Sequence, residues 1–352
     1  AVGYSQLTIR NGRRVSAYEA FVRPVRHRTN LTIVTGAMVE RVNVEQGRAT
    51  GVVLRRNGAI EIAEAHREVI LCAGVIGSPK LLQLSGIGPA DHLSSLGIPV
   101  IVDRGTVGAN LSEHKGVWLE YRLRGQHSHN RELRGWRLGA NALRYFTCHS
   151  GPLARSVDLN GFIRSDPAVL RADAQIQFWA LTARKDATTL EPECFPAVSA
   201  GGWGLRPTSR GSIMIRSADP ADNPVIRPSF LATGEDRAVL VRTFRRLREI
   251  MAQPALAGFL AEEVVPGSHV MTDEEVIEAS LTGENGYHAT GTCRMGSDIG
   301  AVVDSRLNVR GVRGLRIVDC SVMPTQVSSG VNGPVMALAW HAASLIAADR
   351  PQ

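Results

Sequence analysis

Residues 68–88 limit the possible folds of this chain more strongly than any other segment. An apolar run that ends at Gly74 is typical of a buried parallel strand. Ser78 and Pro79 then fit the N-cap and the first position of a helix, which a glycine-rich turn ends before Gly88. A strand, a tight turn and a helix in this order predict a β-α unit of a doubly wound, nucleotide-binding fold.

A second unit of the same kind lies near the C-terminus. Leu315–Asp319 is an apolar strand that ends in an acid, and Gly333–Asp349 is a long apolar helix. Between the two units, alternating runs such as Ala174–Trp179 and Gly211–Arg216 indicate antiparallel strands, and Glu235–Met251 has the apolar spacing of an amphipathic helix. The middle of the chain therefore differs in character from its two ends.

Shorter signals complete the assignment. Thr32–Val34 and Val39–Val44 are β-branched runs, and Asn57-Gly58 is a hairpin signal. Thr272 opens a capping-box pattern at the start of a further helix. We predict an α/β chain (α+β overall): residues 1–114 and 281–352 form part of a Rossmann-like nucleotide-binding domain, and residues 115–280 form an inserted substrate domain, an antiparallel sheet with helices.

Composition argues against several classes of protein. The net charge is +7, but the arginines are dispersed and aromatic residues make up only 5%, so a nucleic-acid interface is not predicted. No apolar run reaches about 18 residues, so no membrane-spanning helix is predicted. The five cysteines are widely spaced and include no CxxC pair, which predicts neither a metal site nor a disulfide framework and favours a reducing, cytoplasmic location.

A histidine in a glycine-rich stretch is the strongest chemical signal. His288 lies within Gly286–Gly296, where small residues allow the backbone to approach a ligand closely. A second loop, Ser328–Pro334, delivers backbone amides to a helix start, a suitable place for an anionic or electron-rich ligand. A histidine near its unperturbed pKa is suited to proton transfer at neutral pH.

These stretches, with Gly74–Gly88, resemble the glucose-methanol-choline (GMC) oxidoreductase family. Further likenesses lie in Arg26–Val39 and Gly108–His114, so the resemblance extends along essentially the whole chain. It implies FAD as cofactor and oxidation of a small-molecule alcohol to an aldehyde or ketone. His288 would accept the hydroxyl proton, hydride would go to flavin N5, and oxygen or another acceptor would reoxidise the flavin. The two end segments would form the FAD-binding domain.

The resemblance also implies further site residues. It assigns cofactor contacts, mostly through the backbone, to Val39, Ala73, Gly74, Asp319, Cys320, Asn332, Gly333, Pro334 and Val335. The family usually places a second catalytic His or Asn in the loop before the last helix. A gapless comparison puts Gly330 there, and a shift of one or two residues would bring Asn332 into the role. We interpret His114 as a packing residue of its turn.

One family feature is missing from this sequence. The family opens with a Gly-x-Gly-x-x-Gly turn that binds the FAD pyrophosphate, and this chain, which starts at Ala1 without Met or an apolar leader, has no such opening. We therefore expect an N-terminal FAD-binding segment or chain as a partner. Two alternatives follow: a hydroxynitrile-lyase type of activity on the same fold, or a catalytically incomplete subunit that needs that partner.

Overall fold

The computed structural model describes residues 2–125, 128–184, 191–283 and 285–349. The strands within these ranges are β1 (Val2–Tyr4), β2 (Ile9–Arg10), β3 (Arg13–Arg14), β4 (Ala37–Glu45), β5 (Arg48–Arg56), β6 (Ala59–Glu64), β7 (Val69–Leu71), β8 (Ile87–Gly88), β9 (Val102–Asp103), β10 (Gly116–Leu123), β11 (Leu159–Ile163), β12 (Ala174–Trp179), β13 (Ala197–Gly204), β14 (Ser212–Met214), β15 (Val225–Arg227), β16 (Leu260–Val265) and β17 (Leu315–Ile317). The α-helices are α1 (Gly74–Leu84), α2 (Ala90–Ser95), α3 (His129–Glu132), α4 (Gly135–Cys148), α5 (Gly234–Met251), α6 (Pro254–Ala257), α7 (Asp273–Thr282) and α8 (Asn332–Ala348). Short 3-10 or π-helical turns cover Tyr18–Val22, Arg23–Val25, Pro152–Ala154 and Cys320–Val322.

The chain divides into two compact units. The first, here the sheet unit, comprises Ala1–Leu31, Lys115–Leu205 and Thr233–Asn285. The second, here the histidine unit, comprises Thr32–His114, Arg206–Ala232 and Gly286–Gln352. No helix among the described residues is long and apolar enough to cross a bilayer.

The sheet unit is built on six antiparallel strands in the order β1-β11-β12-β13-β10-β16. Helix α5 covers the sheet at β13 and buries Leu240, Phe244 and Leu247 completely or nearly so. The amphipathic pattern of Glu235–Met251 and the strand Ala174–Trp179 are thereby confirmed. The capping box at Thr272 is also present and opens α7.

The histidine unit combines a three-stranded antiparallel sheet, β4-β5-β6, with two parallel pairs, β7-β17 and β8-β9, and one antiparallel pair, β14-β15. In the β7-β17 pair, Leu315 lies opposite Val69 and Ile317 lies opposite Leu71. These side chains belong to one apolar core shared with α1 and α8. The two β-α units predicted from opposite ends of the sequence therefore meet side by side, and the mixed helix and sheet fold is confirmed.

The start of α1 differs from the prediction. The helix begins directly after Ala73, at Gly74, so Ser78 is not its N-cap and Pro79 lies inside it. Proline lacks an N–H, so the carbonyl four residues earlier, that of Val75, loses its helical donor. The hydroxyl of Thr292 donates to that carbonyl at 2.7 Å. The proline is tolerated because another segment supplies the missing hydrogen bond.

The unit boundaries also differ from the predicted domain limits, although the chain passes between units close to residues 114 and 285. Residues before 32 belong to the sheet unit because β1 pairs with β11, with Val2 opposite Gly161. The segment from Arg206 to Ala232 belongs to the histidine unit, where Leu111 and Gly211 exchange backbone hydrogen bonds. Thr32–Val34 forms no strand. Which unit binds cofactor and which binds substrate stays a prediction.

Candidate active site

Two segments of the histidine unit run antiparallel and carry the candidate site. Ser112 and Thr290 exchange backbone hydrogen bonds of 3.0 and 2.9 Å. Farther along, the N–H of Gly286 donates to the carbonyl of His114 at 3.1 Å. This pairing brings the Gly286–Gly296 motif against the Gly108–His114 turn, two stretches that are far apart in sequence.

The carboxylate of Glu113 links the two segments by hydrogen bonds. Its oxygens accept the backbone N–H of His288 at 2.8 and 3.0 Å, and one of them also accepts the N–H of His114 at 2.8 Å. Burial raises the pKa of Glu113, and these backbone donors oppose that rise in part. Glu113 thus fixes the backbone position of His288.

The ring of His288 is half-buried and lies against a second histidine. Its Nδ1 is 3.3 Å from Nδ1 of His114, with the ring planes at 88°. Burial lowers the pKa of His288, which favours the neutral, proton-accepting form at neutral pH. The preceding residue, Tyr287, has a positive φ of 55° and a side chain that is 77% exposed. This strained backbone turns the chain just before the histidine.

The structure adds a contact with His288 to the interpretation of His114 as a packing residue. His114 is fully buried, as a packing residue would be, but its ring faces His288 and not only its own turn. Gln326 is a second partner that sequence reasoning missed. Its Nε2 lies 2.8 Å from the carbonyl oxygen of His288 and 3.2 Å from Nδ1 of His114. The hydroxyl of Thr290 donates to its Oε1 at 2.6 Å.

Of the two candidates for the second catalytic position, Gly330 is the one that faces His288. A Cβ atom built on Gly330 would stand 3.2 Å from Nε2 of His288. Asn332 is instead an exposed residue at the start of α8. The structure therefore supports the gapless comparison, in which a residue without a side chain stands opposite the histidine. The catalytic role of Asn332 stays a prediction.

Asp319 links the carboxyl ends of β7 and β17. Its carboxylate accepts the N–H of Gly74 at 2.9 Å, the hydroxyl of Ser78 at 2.5 Å and the N–H of Ser321 at 2.8 Å. The carboxylate of Asp319 is therefore occupied by hydrogen bonds within the protein. The cofactor contact predicted for Asp319 would involve its backbone. The neighbouring Cys320 is half-buried, and burial, with the charge of Asp319, raises the pKa of its thiol.

Two GMC oxidoreductase family models match this sequence, one over residues 1–116 and the other over residues 207–339. The chain belongs to the GMC oxidoreductase family. The resemblance in its motifs is thereby confirmed, and FAD is the cofactor that the family assignment indicates.

This GMC oxidoreductase is similar to named relatives over nearly all of its length. It is 40% identical to human mitochondrial choline dehydrogenase over 350 residues, which are 98% of this chain and 58% of the relative. A formate oxidase variant from Aspergillus oryzae, studied for modification of its FAD, superposes with a TM-score of 0.90 at 28% identity and covers 97% of this chain and 64% of its own. Pyridoxine 4-oxidase from Mesorbium loti superposes with a TM-score of 0.85 at 28% identity, and the match covers 99% of this chain and 65% of the oxidase. The chain thus spans about three-fifths of these proteins.

Several surfaces of the histidine unit have features that would suit FAD. A groove of about 760 Å³ in the histidine unit is lined by Val39, Ala73 and Ile76, and the side chain of Ile76 is 43% exposed. Gly74, at the start of α1, has a positive φ of 76° and open space around it. Gly333, in the first turn of α8, also has open space where a Cβ atom would stand. Apolar walls and uncovered helix starts suit a ring system and an electron-rich edge. The predicted individual contacts stay predictions.

Proposed function

We propose that this chain carries the proton-accepting site of an FAD-dependent GMC enzyme that oxidises an alcohol to an aldehyde or ketone. His288 carries the proposal. Its ring is half-buried, its pKa is lowered, and its backbone is held by the carboxylate of Glu113 and the amide of Gln326. A neutral imidazole held in one place is suited to act as a general base.

The chemistry divides between the protein and its cofactor. Oxidation of an alcohol removes the hydroxyl proton and a hydride from the carbinol carbon. His288 accepts the proton and becomes an imidazolium. When bound, FAD supplies the hydride acceptor, and oxygen or another acceptor reoxidises it. Gly330, which has no side chain, leaves the substrate oxygen room to approach the His288 ring.

The relatives suggest where to begin with substrates. Human choline dehydrogenase is named for choline, so choline is the first alcohol to test, together with simple primary and aromatic alcohols. The N-terminal FAD-binding segment or chain expected from the sequence stays a prediction. A protein that bound FAD only when such a partner was supplied would favour the incomplete-subunit alternative.

The deciding experiment follows the visible absorbance of bound flavin after an alcohol is added without oxygen. Bleaching that depends on the alcohol supports oxidation. In His288→Ala we expect bleaching to slow by about 10²–10⁴-fold, because a general base contributes that much. His66→Ala, which changes an exposed histidine on a turn of the same unit, is the control and keeps the wild-type rate.

Two outcomes would contradict the proposal. Flavin that stays oxidised with every alcohol, in a protein that cleaves a cyanohydrin, would support the lyase alternative. Equal rates in wild type and His288→Ala would exclude His288 as the base.

A further inference from the structure

Gln326 lies between the two histidines, and its amide has only one acceptable orientation. Its Nε2 is 2.8 Å from the carbonyl oxygen of His288, which can only accept a hydrogen bond. Its Oε1 accepts the hydroxyl of Thr290 at 2.6 Å. A flipped amide would place two acceptor oxygens 2.8 Å apart at that carbonyl. The NH2 group of Gln326 must therefore point towards the histidines.

The same NH2 group determines the tautomer of His114. Nε2 of Gln326 lies 3.2 Å from Nδ1 of His114. An amide nitrogen donates and does not accept, so Nδ1 of His114 has to present its lone pair. A neutral imidazole carries one proton, and His114 therefore carries it on Nε2.

The tautomer of His114 then determines that of His288. The two Nδ1 atoms are 3.3 Å apart, and two lone pairs would repel at that distance. A proton on Nδ1 of His288 removes this repulsion, and the His288 N–H then shares the lone pair of His114 Nδ1 with the Gln326 N–H. We infer that Gln326 and His114 hold His288 as its Nδ1–H tautomer, which makes Nε2 the nitrogen that accepts the substrate proton. The last clause rests on the proposed function, whereas the tautomer is inferred from the contacts of Gln326 with His114 and of His114 with His288.

The geometry around Nε2 agrees with this assignment. Nε2 is the His288 ring atom that stands nearest to the position of a Cβ on Gly330, at 3.2 Å. When Nε2 takes the alcohol proton, the Nδ1 proton stays in place and its hydrogen bond to His114 becomes charge-assisted. His114 and Gln326 act through His288 and are positioning residues. Without them, His288 could equally hold its proton on Nε2, and that nitrogen could then not accept the substrate proton.

Nitrogen NMR of the full chain tests the inference directly. In protein with ¹⁵N-labelled histidine, two-bond proton–nitrogen correlations distinguish the tautomers, at a pH where both rings are neutral. Signals are assigned with His114→Asn and His288→Asn. We expect the Nδ1–H form for His288 and the Nε2–H form for His114. A wild-type spectrum in which His288 is the Nε2–H form would overturn the inference without any need for a further variant.

A pair of glutamine variants tests the cause. Gln326→Met keeps the approximate shape but removes the N–H donors, and we expect a mixture of tautomers at His288. Gln83→Met is the matched control, since Gln83 is a buried glutamine of the same unit that bonds to the backbone of Ile213 and Ile215. It should leave His288 in the Nδ1–H form. An unchanged spectrum in Gln326→Met would contradict the role of Gln326.

The test separates this inference from the proposed function. The NMR experiment needs neither flavin nor substrate. A chain with the expected tautomers that bleaches with no alcohol would contradict the function alone. A chain that oxidises alcohol with His288 in the Nε2–H form would contradict the inference alone.

Discussion

The carboxylate of Glu113 accepts the backbone N–H of His288 at 2.8 Å, so a side chain from one segment fixes the position of a histidine 175 residues later. Because the bond reaches the backbone, it restrains the loop that carries the imidazole. The ring is oriented separately, through His114 and Gln326.

The position of Glu113 predicts a pH-dependent stability. Burial raises its pKa in the folded protein, so the carboxyl group stabilises the fold while protonated, and that contribution is lost as pH rises through the folded pKa. Glutamine does not titrate, so Glu113→Gln does not lose stability in this way as pH rises. We expect its unfolding free energy in urea to improve relative to wild type as pH increases from acid to neutral.

The exposed strand residue Glu64 provides the control for that experiment, because Glu64→Gln removes the same charge without a buried contact. A difference between Glu113→Gln and wild type that is constant with pH, or that favours wild type increasingly towards neutral pH, would contradict the assignment.

Because Gly330 has no side chain, we predict that adding one lowers the activity and leaves the fold intact. In Gly330→Ala the new methyl would stand 3.2 Å from Nε2 of His288 and push the ring or the substrate aside. Displacement of a reacting group by about 1 Å costs roughly 10²-fold in rate. We expect alcohol-dependent flavin reduction to slow by about 10-fold or more, while the urea midpoint hardly moves. Gly105→Ala, where a methyl meets nothing within 4 Å, should keep the wild-type rate. Equal rates in the two variants would show that Gly330 does not adjoin the reacting atoms.

The positive φ of Gly74 at the start of α1 predicts that a side chain at this position lowers the stability of the protein. Its φ of +76° is unfavourable for any residue with a Cβ, although space for a methyl is available. Gly74→Ala should therefore destabilise the protein by about 1–2 kcal/mol in urea unfolding. Gly234→Ala, at the first position of α5 and also in open space, should stay within about 1 kcal/mol of wild type or exceed it. Equal stabilities would mean that the turn at Gly74 relaxes without strain.

Sequence patterns predicted the local parts of this structure well. The periodicity of Glu235–Met251 and the capping box at Thr272 each depend on residues within a few positions, and both are present. His288 was identified because its glycine-rich surroundings lie in one continuous stretch. Such signals are readable from the sequence because the interactions behind them are short-range.

The parts that sequence did not predict depend on distant partners. Pro79 indicated a helix start, but the hydroxyl of Thr292 satisfies the carbonyl that this proline leaves open, and the helix extends back to Gly74. Residues 2–4 join a sheet whose partner strand starts at Leu159. Gln326 has no motif of its own, and its role is visible only once the fold brings it to His288.

The pH dependence of flavin reduction tests the central claim, that neutral His288 accepts the substrate proton. Burial lowers its pKa below the ordinary histidine value of 6.5, so the neutral base should dominate at neutral pH. In anaerobic stopped-flow experiments on the FAD-loaded protein, we predict a reduction rate that rises with pH, is half-maximal below 6.5, and loses this step in His288→Ala. A rate that falls with rising pH, or a step that persists unchanged in His288→Ala, would contradict the account.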